Sequence, residues 1–210
     1  TNADMNSLNL LPGNIGEMVI PVSAESRALD AAFTQITDKA AEIQSRGIYG
    51  DETMIAAAAE FSTYFSDPDA VNMMLDTLAN YSMGMENGVS EVDTATMVNY
   101  ATNLGKITGG AYDAMSEKGF VFSDVQRDII DGTATQAQIV AQLGAEYVDM
   151  SEDMQAAAAI TQVIDEYWAG LYETMSATPE GRIVQMLHTW GDMQEVIGGQ
   201  LYPYVLLFVD

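Results

Sequence analysis

Apolar residues recur at spacings of three and four along most of this chain, and each such run ends at glycine, proline or a small polar residue. The first run spans 23–46, with Ala24, Ala28, Ala31, Ala32, Ile36 and Ile43 on one face and Gly47 placed to close the helix. Gly50-Asp51 opens a second helix carrying Ala56 to Ala59 and Phe61, and Asp67-Pro68 stops it and starts a third. Val71, Met74, Leu75, Leu78 and Met85 mark that third helix, which ends near Gly84 or Gly88. Ser90, with Asp93 three residues on, resembles a capping box before Val92, Met97, Tyr100 and Leu104. Gly109-Gly110 predicts a break, 111–118 a short helix and 119–122 a short strand. Ser123 predicts a cap for 124–131, and Gly132-Thr133 restarts a helix with Ile139, Val140, Leu143 and Tyr147. The stretch 151–176 reads as one long Ala-rich helix, with Ile160, Val163, Ile164, Tyr167, Trp168 and Leu171 facing inward and Ala156 to Ala159 allowing close packing.

The last helix has the clearest punctuation. Thr178 caps it, Pro179 fills a position that needs no N–H, and Glu180 sets negative charge at the positive end of the helix dipole. Ile183, Met186, Leu187, Trp190, Met193 and Ile197 form a stripe that a helix buries; Gly198-Gly199 weaken the helix and Pro203 ends it. Residues 1–22 lack such periodicity and read as a short irregular N-terminal arm. The expected class is mainly α: a compact multi-helix domain of about seven or eight helices over 23–210, antiparallel where connections are short. The chain starts without Met and ends in an apolar run, which reads as a fragment of a longer chain.

Charge narrows the partners. The 210 residues carry 31 acidic against 7 basic side chains, a formal net charge of -24. Such a surface repels phosphate backbones and anionic lipid, so direct nucleic-acid and membrane binding are not expected. A basic protein partner fits. Cysteine is absent, which removes thiolate and disulfide chemistry. No apolar run reaches the ~18 residues that span a bilayer.

Catalytic constellations are thin. His188 is the one histidine and lacks companions for a zinc site. No phosphate-binding loop, dinucleotide fingerprint or nucleophile elbow occurs. Asp149, Glu152 and Asp153 would share one face of a continuous helix, as would Glu166 and Glu173; solvated helix surface explains both, and neither metal nor cofactor is expected. The fourteen methionines fall mostly in the helical stripes, as core would. The candidate interaction and packing surface is Trp190, Gly191, Ile197, Gly198, Leu201, Tyr204 and Leu207; self-association through the terminal apolar run follows from it.

The order of these pieces resembles the middle region of phage tail tape measure proteins. The similarity rests on Ala177-Thr178-Pro179-Glu180-Gly181-Arg182-Ile183, then Trp190-Gly191-Asp192-Met193, Ile197-Gly198 and Leu201-Tyr202-Pro203. Tyr49-Gly50-Asp51-Glu52 before an Ala-rich helix, Phe122-Ser123-Asp124-Val125-Gln126 and Asp131-Gly132-Thr133 extend it over residues 24–203. The resemblance implies a non-enzymatic, structural role in virion assembly: tail assembly chaperone and tail tube proteins as partners, the host cytoplasm as the place of assembly and the virion tail as destination. The strong acidity and the many glycine breaks depart from an extended ruler and favour a compact assembly domain. The alternative is an acidic helical interaction module that binds a basic partner.

Overall fold

The computed structural model describes residues 23–90, 92–189 and 192. Among the described residues nine α-helices run in order: α1 Ala24–Arg46, α2 Asp51–Phe61, α3 Pro68–Met85, α4 Thr94–Gly105, α5 Tyr112–Ser116, α6 Asp124–Ile130, α7 Gln136–Gln142, α8 Glu152–Trp168 and α9 Leu171–Ser176. Residues 179–189 form a further helix, α10. Eight of these stretches have seven or more residues, and no strand occurs among the described residues. The fold is mainly α, as the periodicity predicts. The expected arm over 1–22 lies outside the described residues.

Most helices start where the sequence places a cap. Ser23, Asp67, Ser123 and Ser151 each accept a hydrogen bond from a first-turn N–H, and Pro68 follows its cap. Ser123 and Gln126 complete a capping box, as do Thr135 and Gln138. Four expectations are corrected. The cap of α4 is Asp93, not Ser90: its carboxylate accepts the Thr96 N–H at 2.7 Å, a bond that also holds its pKa low. Residues 119–122 are loop. Phe120 and Phe122 are buried and Val121 is 65% exposed, which is strand-like alternation, but no neighbouring strand is there to bond. The stretch 151–176 is two helices, broken at Ala169 and Gly170, whose φ of 66° lies in the left-handed region. Tyr167, expected inside, is 57% exposed with Phe120 edge-on to it.

Two parallel helix pairs build the body. Along α3 and α8, Asp67 bonds the Ser151 hydroxyl, Thr77 and Thr161 share a hydrogen bond of 2.7 Å, and Trp168 lies over Gly84. The two hydrogen-bonded rungs are each 84 residues apart, so the helices run in one direction. Asp153 joins their starting ends: one carboxylate oxygen accepts from the Ser66 N–H, the Ser66 hydroxyl and the Asp67 N–H. α2 and α4 are likewise parallel, through Thr53 with Thr94 and Glu60 with Thr102. Ala156 to Ala159, Ile160, Val163 and Ile164 are buried in α8, which packs against α3 and α6, and they share one core with Leu75, Leu78 and Tyr81. The alanines bring α8 close; the branched residues fill the remaining space.

One tyrosine ties the ends of the body together. At the close of α1, Gly47 N–H bonds the Gln44 carbonyl, leaving the Ile43 carbonyl without its usual donor four residues on. The Tyr172 hydroxyl donates to Ile43 O at 3.1 Å and accepts from Tyr49 N–H at 3.1 Å. Its ring stacks on Tyr49 with centroids 5.1 Å apart. Its own N–H donates to Asn80 Oδ1 at 3.0 Å. Gly47 leaves room for the ring, since a Cβ there would sit 2.1 Å from it. Tyr172→Phe should strip partners from two backbone groups and cost about 1–3 kcal/mol. Gly47→Ala should cost a similar ~1–3 kcal/mol through overpacking. Urea melts followed by circular dichroism measure both, and combining the changes should give less than their sum, because they act on one contact.

Candidate interaction surface

α10 begins as its sequence predicts. The Thr178 hydroxyl accepts the Gly181 N–H at 3.2 Å and donates to Met175 O at 2.7 Å. Gly181 lies against the Met175 and Ser176 carbonyls, where a Cβ would come within 2.6 Å of both oxygens. Arg182 Nε donates to Ala177 O at 3.2 Å, which secures the end of α9.

The face that α10 turns to the body is not the predicted stripe. Gly181 is buried and Val184, Gln185 and His188 are half-buried; Val184 packs on the core and Gln185 donates to Ser45 O at 2.7 Å. Ile183, Met186 and Leu187 point away and are 57%, 65% and 63% exposed. The stripe is amphipathic, but polar anchors to α1 decide which side docks. Further along, Gln44 donates to Asp192 Oδ2 at 2.6 Å, a second polar contact with the end of α1. The predicted surface residues Trp190, Gly191, Ile197, Gly198, Leu201, Tyr204 and Leu207 lie outside the described residues.

α1 carries a second uncovered apolar face that the sequence reading missed. Leu29 is 71% and Phe33 66% exposed, although they continue the line of Ile36, Ala40 and Ile43, which pack on the core. Residues 23–31 are exposed throughout. α1 therefore stands clear of the body for its first two to three turns, roughly 15 Å.

The acidic clusters resolve into structural contacts. Asp149 lies in the turn before α8, so it shares no continuous helix with Glu152 and Asp153. Asp153 holds the Ser66–Asp67 backbone as described. Glu166 and Glu173 are separated by the break at Gly170, and Glu173 accepts from Arg46 Nη1 at 2.8 Å. No group of three or more His, Asp and Glu that could hold a metal ion occurs among the described residues. His188 forms part of a cleft wall with Gly50, Thr53, Asp93 and Thr94. No helix among the described residues is long and apolar enough to cross a membrane.

Two of the seven cations, Lys39 and Arg46, meet where α1, α3 and α9 converge. Arg46 meets Asp76 at 2.7 Å and Glu173 at 2.8 Å; its Nε is 3.5 Å from Glu42, an ion-pair distance without hydrogen-bond geometry. Lys39 meets Asp76 at 2.6 Å and Glu42 at 3.1 Å, and its hydrogen bond holds the Glu42 pKa low. The carboxylates of this network are about half exposed, so each pair adds little stability and the group mainly orients α1, α3 and α9. Arg127 lies over the Tyr112 ring, 5.2 Å from its centroid. Burial pushes the Tyr81 and Tyr172 hydroxyls up to about 12, so both keep their protons. Comparison with protein-family models, with curated proteins and with solved structures found no match.

Asp165 is the carboxylate held above its usual range, by burial first and then by the charges of Asp76 and Glu173. A raised folded-state pKa means the folded chain holds a proton that the unfolded chain releases, so stability falls as pH rises through that window. Asp165→Asn should therefore raise the melting temperature near pH 7. The gain should fade on acidification and vanish below the ordinary value of 3.8. Thermal melts of both proteins at several pH values check this.

Proposed function

We propose that this chain is a compact helical assembly domain of a phage or prophage tail tape measure protein. It is a structural part that helps organise tail assembly and tail length, and it works beside the tail assembly chaperone and tail tube proteins in the bacterial cytoplasm before entering the virion tail. One observation carries the reading: the runs that resemble the family are joints of one folded body. Tyr49-Gly50 follows Gly47 at the joint that Tyr172 holds, Ser123 and Gln126 form the capping box of α6, and Thr178 with Gly181 opens α10. Such runs serve the fold and require no reacting centre nearby. A second reading, an acidic module for a basic partner, is supported by the excess of 31 acidic over 7 basic side chains, with Lys39 and Arg46 already taken up in ion pairs of the body.

The domain reading separates from a ruler reading by length. A helical ruler extends ~1.5 Å per residue, so removing residues 153–176 from a ruler shortens the tail by ~36 Å. In this body the same deletion removes Ile160, Val163, Ile164 and Tyr172, and with them the partners of α3 and the end of α1. The loss should exceed the 5–15 kcal/mol that holds a typical domain together. The expected result is phage with no tails, or tails of irregular length, in electron micrographs. Uniform tails shorter in proportion would overturn the domain reading.

A further inference from the structure

The uncovered start of α1 has a register that defines its partner. Ser26, Leu29, Phe33, Ile36, Ala40 and Ile43 follow one another at steps of three and four, the a and d positions of a heptad seam. From Ile36 onward the seam is covered by the body. There the flanking e and g positions are Thr37, Lys39 and Gln44, neutral or basic. Over the uncovered part, around Leu29 and Phe33, the flanks are Glu25 and Ala32 at g and Asp30 at e, and both carboxylates are exposed. Arg27 sits at an outer b position. The seam thus changes flank charge where it leaves the body.

We infer that the start of α1 is one half of a heterotypic helix pair, whose other half is a helix of another protein with apolar a and d residues and Lys or Arg on its flanks. Flanking charges in such pairs select the partner: opposite charges permit pairing and like charges oppose it. A second copy of α1 would bring carboxylates against carboxylates. The chain's own ends cannot supply the positive flanks, because residues 1–22 and 193–210 contain no Lys or Arg. Its seven cations lie between Arg27 and Arg182, and Lys39, Arg46, Arg127 and Arg182 are engaged inside the body. The apolar anchors Leu29 and Phe33 then insert between the partner's side chains, with its cations over Glu25 and Asp30. This inference stands independently of the tail reading, since it uses only the seam and its charges.

Two synthetic four-heptad peptides with Leu at a and d test it, one with Lys at e and g and one with Glu, titrated against the whole chain by fluorescence anisotropy. The Lys peptide should bind at least tenfold more tightly than the Glu peptide. The neutral change Leu29→Gln with Phe33→Gln should weaken the Lys peptide at least tenfold, with the melting temperature unchanged because both side chains are already exposed. Glu25→Lys with Asp30→Lys keeps the seam and should cut the preference for Lys at least tenfold. Unaltered binding in the Gln variant would show attraction by diffuse charge alone and overturn the proposal. So would an unchanged preference in the Lys variant, or failure of both peptides to bind the wild-type chain.

Discussion

The hydroxyl of Tyr172 is the contact on which the rest of this fold depends. It supplies the donor that the end of α1 lacks and the acceptor that the turn into α2 needs, both inside a buried cluster. A buried backbone group without a partner costs as much as a good hydrogen bond contributes, so one side chain settles two such liabilities. The geometry then dictates its neighbours. Gly47 must lack a side chain, Tyr49 must be flat enough to stack, and α8 must end at Ala169 so that Tyr172 can turn back toward α1. Asn80 fixes the other side of the same residue from α3. A joint made by residues 43, 49, 80 and 172 closes a large loop of chain into one body.

Electrostatics acts at a second level. With 31 acids and 7 bases, the chain cannot balance its surface locally. Lys39 and Arg46 are drawn to the place where α1, α3 and α9 converge and carboxylates would otherwise collide. Asp165 has its pKa raised by burial first and then by the charges of Asp76 and Glu173. Elsewhere carboxylates are satisfied by N–H and hydroxyl donors: Asp153 and Asp93 serve helix starts, Glu86 accepts from Tyr100 and Asp131 from Tyr112. An acidic fold can thus be well ordered inside and still present carboxylates outward.

The legible part of the sequence was local. The caps at Ser123 and Thr178 and the helix starts at Ser23, Asp67 and Ser151 rest on bonds within three residues, so their chemistry is visible in the string of letters. The alanine run of α8 and its Ile and Val partners were legible for a similar reason, since periodicity reports burial. What escaped was long-range. Gly170 is the one local sign of the break, and a lone glycine inside a helical pattern is ambiguous; Tyr172, which follows it, has partners more than 90 residues earlier. The inward face of α10 was misread because hydrophobicity nominated Ile183 and Leu187, whereas Gln185 finds a backbone partner on α1. The exposure of Leu29 and Phe33 was likewise invisible, because a heptad looks the same whether the body covers it or not. Of the proposed surface, the sequence named residues beyond Thr189, while the described structure offers α10 up to Leu187 and the start of α1.

Tyr172 makes one cooperative body out of distant segments, and hydrogen exchange followed by mass spectrometry reads that coupling. Exchange reports local and global opening segment by segment. Comparing the wild-type chain with Tyr172→Phe, the account predicts a shared loss of protection at residues 40–49, around Asn80 in α3 and in α9. Loss confined to residues 171–176, with the end of α1 as protected as before, would contradict it.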